Sequence, residues 1–308
     1  MKPVKFVIPL LVVLFATGCV NINLPTNVPN PPQPTLPPPA TLGPTSPPVA
    51  QGLTEEVLRN STFLSPQMGV PVTLVDGKFS GEVNGSRLNV VMQPGVQFGD
   101  LNSDQVPDAA LLLAEDMGGS GTFVSMVVVY SNGSNFKQAP GLLIEDRPII
   151  NSIGIMDGVV KIDAFLHGPN DPMANPTQGV KEEFSLVDGK LFLTHLTSAI
   201  QAGGERMIQI DSPVDGTPVS GSVQLTGSMP IGPFENNLAL TISDAASGLL
   251  LQEGFMVNAV DMGAPATFAN VITLPVVQSG THLVVTLSEL SMANGMPLAI
   301  DSVILVVK

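Results

Sequence analysis

From residue 53 onward, most of the chain is built of short runs in which apolar and polar residues alternate, separated by glycine, asparagine, aspartate and proline. Period-two alternation turns one face of an extended segment toward a core and the other toward water, so these runs predict antiparallel strands. Between residues 51 and 200, three Asp-Gly pairs (Asp76-Gly77, Asp157-Gly158 and Asp188-Gly189) lie between such runs, in VTLVDGKFSGEV, IGIMDGVVKIDAFL and FSLVDGKLFLTHL. Both central positions of a tight hairpin turn need positive φ, which glycine adopts freely and aspartate tolerates, so each pair predicts a hairpin. One short helical signal, Leu53 to Arg59, opens the region. The reading for 51–200 is an antiparallel β-rich (α+β) domain. After the break at Gln201-Ala202-Gly203-Gly204 come MIQI, VSGSVQLTG, NLALTIS, LLLQEGFMVNA, ATFANVITL, HLVVTLSEL and DSVILVVK. Short strands at this spacing, in about 100 residues, predict an immunoglobulin-like β-sandwich over 205–308, and the whole chain reads as mainly β.

The pattern breaks at the N-terminus. Lys2 and Lys5 precede an apolar run from Phe6 to Ala16, too short to span a bilayer, and small residues follow it. This predicts a secretory signal over residues 1–18. Ala16-Thr17-Gly18-Cys19 resembles the lipobox of bacterial lipoproteins, which implies that Cys19 is lipidated and becomes the mature N-terminus. Cys19 is the only cysteine of the chain, so an intramolecular disulfide is excluded and the core must supply the stability. At 44% hydrophobic and 12% charged residues, the chain has material for such a core. Residues 19–50 form a Pro-rich linker, with eleven prolines and no charge between Asn21 and Ala50. Proline fixes φ and lacks a backbone donor, so the segment reads as an extended spacer that could reach roughly 80 Å.

Removing residues 1–18 takes away two lysines and no acid, leaving 10 basic against 26 acidic residues and a net charge of −16. Such a field repels nucleic acid and anionic lipid surfaces. Membrane contact is therefore expected through the N-terminal lipid alone, on the outer face of a bacterial membrane.

Ile210-Asp211-Ser212-Pro213, Val219 to Gly227, Pro233-Phe234-Glu235-Asn236-Asn237-Leu238, Asp244 to Gly248 and Ser291 to Gly295 together resemble the bacterial spore germination immunoglobulin-like domain. The resemblance spans nearly all of Met207–Lys308. It implies a sandwich and a cell-envelope location, and it brings no catalytic residues.

One segment has the composition of a site. Asp100, Asn102, Asp104 and Asp108 place oxygen-bearing side chains at positions one, three, five and nine of a loop, with the carbonyl of Val106 between them. A hard cation such as Ca²⁺ needs six to eight oxygens, and this alternation can wrap them about one centre. The loop resembles the calcium loops of dockerin and integrin-type repeats, with Gln105 where glycine usually turns the chain and Leu111 where an EF-hand carries its bidentate Glu. The same residues also suit an acidic turn in which Asp and Asn bond backbone amides.

Other groups give less. Gly118-Gly119-Ser120-Gly121 lies between two apolar runs and reads as a hairpin loop. His167 and Asp171 share a turn, but nothing like Gly-x-Ser-x-Gly marks a nucleophile. His195 and His282 sit within strand-like runs, and three dispersed histidines have no zinc spacing. With no Trp and only Tyr130, a stacking platform for sugars is disfavoured. Thirteen methionines, several near turns (Met68, Met117, Met173, Met229, Met262, Met292, Met296), read as core or as an adaptable contact surface. The expectation is a non-enzymatic binding or structural module whose partner is an envelope protein or peptide. The competing expectation is a Ca²⁺-dependent envelope hydrolase or adhesion protein built on the Asp100–Asp108 loop.

Overall fold

The computed structural model describes residues 52–133, 135–200, 203–261 and 263–308, all within one compact unit. The expected signal peptide, Cys19 and the Pro-rich linker lie outside the described residues. The chain is mainly β, with 58% of the described residues in strands and 3% helical, so the α part of the expected α+β region is a single short helix. Among the described residues no helix is long and apolar enough to cross a membrane.

Helix α1 (Glu55–Arg59) begins at Thr54, whose hydroxyl accepts the amide of Val57 at 3.2 Å and so satisfies a donor the helix leaves open. Strands β1 (Thr62–Leu64) and β2 (Pro71–Thr73) pair as a small ribbon. Next come β3 (Lys78–Val83), β4 (Ser86–Met92), β5 (Gln97–Gly99), β6 (Asp108–Asp116), β7 (Phe123–Ser131), β8 (Phe136–Gln138) and β9 (Leu142–Asp146). They form a seven-stranded sheet in the order β3-β4-β6-β7-β8, with β5 beside β6 and β9 beside β7. Strand β6 is buried from end to end but for its last residue, because both its faces are covered. Ala109, Leu111 and Leu113 pack with Leu58 of α1 and with Phe63, Val72 and Leu74 around the β1–β2 ribbon. Ala110, Leu112 and Ala114 face the opposite layer.

That layer is a meander of β10 (Ile149–Met156), β11 (Val159–Leu166), β12 (Gln178–Val187) and β13 (Lys190–Ala199). Val160, Ile162, Ala164, Val180 and Phe184 close the core against Leu112, Met126 and Val128. The turns Asp157-Gly158 (φ 55° and 76°) and Asp188-Gly189 (φ 48° and 78°) close its hairpins, as the sequence predicts. Asp76-Gly77 also turns with positive φ, yet it is flanked by only one bridge, Val75 to Lys78, before β2 and β3 part to different partners. The hairpin there is β3–β4, closed by Asn84-Gly85 (φ 53° and 78°), an Asn-Gly pair within the alternating run KFSGEVNGSRLNVVM that carries the same kind of turn signal. Gly189 is held by packing as well as by φ, since a Cβ there would come within 2.3 Å of the Tyr130 hydroxyl.

Beyond β14 (Glu205–Arg206), which runs beside β13, lie nine strands: β15 (Gln209–Ser212), β16 (Pro218–Val219), β17 (Ser222–Met229), β18 (Asn237–Asp244), β19 (Gly248–Met256), β20 (Asn258–Ala259), β21 (Ala266–Thr273), β22 (His282–Leu290) and β23 (Pro297–Val307). They make two facing sheets, β15-β17-β21-β20 and β16-β23-β22-β18-β19. This is the immunoglobulin strand order ABED over GFCC′, with the first strand divided between the sheets so that β16 pairs β23 in parallel. Seven runs become nine strands because VSGSVQLTG and LLLQEGFMVNA each cross from one sheet to the other, at Ser220-Gly221 and at Val257. The core is aliphatic with one aromatic pair across the sheets, Phe255 and Phe268, edge to face at 5.4 Å.

The two regions share a sheet. Strand β23 gives the C-terminal end of its outer edge to β16 and the middle to β13, through His195–Asp301 and Leu196–Ile300, and so joins the meander to the sandwich in ten strands.

Leu113 is fully buried between α1 and the seven-stranded sheet, so Leu113→Ala leaves a cavity that little can fill. The expected loss of stability is about 2–5 kcal/mol by denaturant unfolding, whereas truncation of the exposed Leu249 should change it far less.

Candidate functional site

The Asp100–Asp108 segment joins β5 to β6 and is braced by its own side chains. Asp100 accepts the amides of Asn102, Asp104 and Gln105, at 3.3, 3.2 and 2.8 Å. The side-chain Oδ1 of Asn102 accepts the backbone amide of Asp104 at 3.1 Å, and Oδ1 of Asp104 accepts that of Val106 at 2.8 Å. Gln105 takes the left-handed conformation (φ 67°) usual for glycine in this place. Asp108 begins β6 and is turned inward with no exposed surface; its two oxygens accept the amides of Leu101 and Ser131, each at 2.8 Å. Burial raises its carboxyl above the ordinary value, against the lowering effect of those two amides. The structure thus gathers Asp100, Asn102 and Asp104 at one turn and sends Asp108 into the sheet. Among the described residues no three His, Cys, Asp or Glu side chains are grouped so as to hold a metal ion.

Each of the three histidines faces a carboxylate. His167 Nδ1 lies 2.9 Å from Glu145 Oε2, and its backbone amide donates to both Glu145 oxygens at 3.0 and 3.1 Å. Asp171, its neighbour in sequence, is used on its own loop, accepting the amides of Gly168 and Thr177 at 2.8 and 2.6 Å, which lower its carboxyl. Glu182 adds its charge to the region: it shares a face of β12 with Val180 and Phe184, is 4% exposed, and its Oε2 has no partner, as is true of buried His167 Nε2. Burial, with the nearby charge of Glu145, pushes Glu182 up to about 7.

The other two histidines bridge the regions. His195 Nδ1 meets Asp301 at 3.2 Å and His282 Nδ1 meets Asp188 at 2.9 Å. The hydrogen bond to Asp301 raises His195 above its ordinary value. Arg206 of β14 bonds Glu289 of β22. From Met207 to Lys308 the only Lys or Arg is Lys308, and Asp301 and Glu289 of this acidic segment meet His195 of β13 and Arg206 of β14. Tyr130 is partly buried against the first core and covers the Asp188-Gly189 turn, so it offers no open face.

The longest edge strand of the sandwich is β19, and a cavity lies beside it. Strand β19 ends the ten-stranded order and pairs only β18. A cavity of about 410 Å³ adjoins it, lined by Phe234, Glu235, Glu253, Glu289, Leu290 and Met292 among others, and by no lysine or arginine. Glu235 and Asn236 form a left-handed turn (φ 54° and 53°), held where the Asn236 carbonyl accepts the amide of Val257 at 2.9 Å.

Glu145, Glu182 and Glu289 escape a search for motifs. Parity along the strand is the signal for the last two: Glu182 falls in step with Val180 and Phe184, and Glu289 with Val285 and Leu287, where an apolar residue is due. Comparison with known protein families, with curated proteins and with solved structures finds no match to the chain.

The acid–base geometry gives a pH dependence of definite sign. Glu182 binds its proton more tightly folded than unfolded, so the stability it lends is full below its ordinary value of 4.5 and is lost as pH rises through about 7. His195, raised above 6.5, acts in the same direction at higher pH. Glu182→Gln should therefore melt at a higher temperature than the parent at pH 8 and at the same temperature near pH 4.5. Melting curves that stay parallel across this range would show that the carboxyl titrates normally.

Proposed function

We propose that the chain is an exported, lipid-anchored protein of the bacterial cell envelope whose β body serves as a non-enzymatic binding or structural module. The observation that carries the binding role is an open edge of the sandwich: β19, nine residues long, pairs only β18, so alternate residues turn their backbone groups outward beside a cavity. Such an edge is a template on which an extended partner can add as a strand. Support for the location comes from the sequence: the signal, Cys19 after its small residues, and an uncharged Pro-rich spacer that lets the body stand off from the lipid. The immunoglobulin strand order agrees with the resemblance of Met207–Lys308 to the spore germination immunoglobulin-like domain, and that resemblance favours an envelope setting. The net negative charge favours protein partners with a neutral or basic face over nucleic acid or anionic lipid.

Cys19→Ala tests the anchor and the role together. The parent is expected in the membrane fraction, where crosslinking on intact cells recovers a small, reproducible set of envelope proteins. The variant has no thiol to acylate and is expected in the soluble exported fraction, without those partners. A variant that remains membrane-bound overturns the anchor; a parent that crosslinks to nothing overturns the binding role.

A second reading, Ca²⁺ at Asp100, Asn102 and Asp104, is favoured by the left-handed turn at Gln105, which reproduces the conformation of a calcium loop's glycine. If it holds, millimolar Ca²⁺ raises the melting temperature by mass action and Asp100→Ala abolishes the rise. Identical melting with Ca²⁺ and with chelator leaves the loop as a self-braced turn.

A further inference from the structure

The three carboxylates around the cavity beside β19 stand without local compensation except at one point. Arg206 bonds Oε1 of Glu289; its Oε2 has no partner although the residue is only 4% exposed, and burial raises the carboxyl. Glu253, on the open edge strand, and Glu235, on the left-handed turn, both reach solvent. Around them are exposed apolar groups: Phe234 is 47% exposed, Leu290 43% and Met292 75%. The site thus combines an unpaired backbone edge, an acidic hollow, and an aromatic and methionine rim that can shift to fit.

These features select among occupants. A second copy of the chain would bring Glu253 and the surplus of seven negative charges of one sandwich against the same charges of another, a repulsive pairing. An acidic peptide meets the same barrier. A neutral strand could use the edge but would leave the carboxylates uncompensated. A lysine or arginine side chain neutralises them, lays its methylenes on Leu290 and Met292, and sets its charge near the Phe234 ring.

We propose, building on the binding reading above, that β19 and the adjoining cavity bind an extended basic segment of a partner protein, which adds as an edge strand and places a lysine or arginine among Glu235, Glu253 and Glu289. Alternate residues of a strand share a face at a spacing of about 6.8 Å, so the favoured segment alternates basic and apolar residues. The partner's backbone supplies affinity through the ladder, and its charge supplies selectivity.

The test uses the full mature chain and three fluorescent heptapeptides, alternating valine with lysine, with glutamate or with serine, followed by anisotropy. The lysine peptide should bind at least tenfold more tightly than the serine peptide, the glutamate peptide should not bind, and added salt should weaken the lysine complex. N-methylation of alternate amides of the lysine peptide should abolish binding, because the ladder is lost while the charge remains. Glu253→Lys and Glu235→Lys should each weaken binding at least tenfold. Glu82→Lys makes the same change of net charge on exposed strand β3 of the other region and should leave binding unaltered. Circular dichroism of the variants guards against unfolding. Equal loss in Glu82→Lys, equal binding of all three peptides, or indifference to N-methylation would overturn the proposal. If the lysine peptide fails to bind while crosslinking on cells still recovers envelope partners, this site falls and the general binding reading stands.

Discussion

The structure depends on how strand β23 divides its outer edge. Its C-terminal end takes β16 in parallel and so completes the immunoglobulin order, while its middle takes β13 and so carries the first region's meander into the same sheet. Only two residue pairs, His195–Asp301 and Leu196–Ile300, make the second connection. Side chains reinforce it. Ser198 of β13 donates to the carbonyl of Leu298 at 2.6 Å, and Asp301 is held in place within the sandwich by the amide of Ile210 at 2.6 Å. The His282–Asp188 contact is largely exposed and adds little, as surface pairs generally do. The half-buried His195–Asp301 pair and the Arg206–Glu289 bond hold charge where water is partly excluded, and so act more strongly. The acidic sandwich is thus tied electrostatically to the region before it, as well as through the backbone.

Burial sorts the acids into two kinds. Glu115, fully buried, is satisfied: it accepts the Ser65 hydroxyl and the amide of Gln67, and so fastens the β1–β2 connection to β6. Asp108 is likewise satisfied by two amides. Glu182 and Glu289 each keep an oxygen without a partner, and burial raises both. Burial raises all four carboxyls, but the satisfied ones brace local structure, whereas the others keep an oxygen whose hydrogen-bonding demand a ligand or a proton can answer. Glu289 also lines the cavity beside the open edge, and there the demand faces a surface a partner can reach.

The proposed function follows from this arrangement. The first region offers its apolar residues to two cores and gives His195 to the junction beside Arg206, whereas the sandwich keeps one side of a long edge strand unpaired next to an acidic hollow that Arg206 alone partly compensates. An exported protein held by a lipid and a proline-rich spacer would present that edge at a distance from the membrane. Native sheets commonly blunt exposed edges with charge, and Glu253 does this against like-charged strands while inviting a basic one.

The strands themselves were legible in the sequence, because alternation and Asp-Gly turns are local signals: VDGKLFLTHL specifies its hairpin whatever surrounds it, and Thr54 caps its helix through an amide three residues on. The immunoglobulin sandwich followed from the spacing of short strands. What lay beyond the sequence was pairing between distant segments. Residues 195 and 301 are neighbours only because β23 has a free edge, and the break at 201–204 gives no sign that the sheet resumes across it. LLLQEGFMVNA reads as one run, but facing sheets divide it at Val257. His167 finds Glu145 rather than its sequence neighbour Asp171, since the layers, and not the loop, decide which carboxylate faces it. Local periodicity determines which face of each strand is apolar; only the packed sheets decide which polar group is left inside without a partner, because that depends on what the opposite layer supplies.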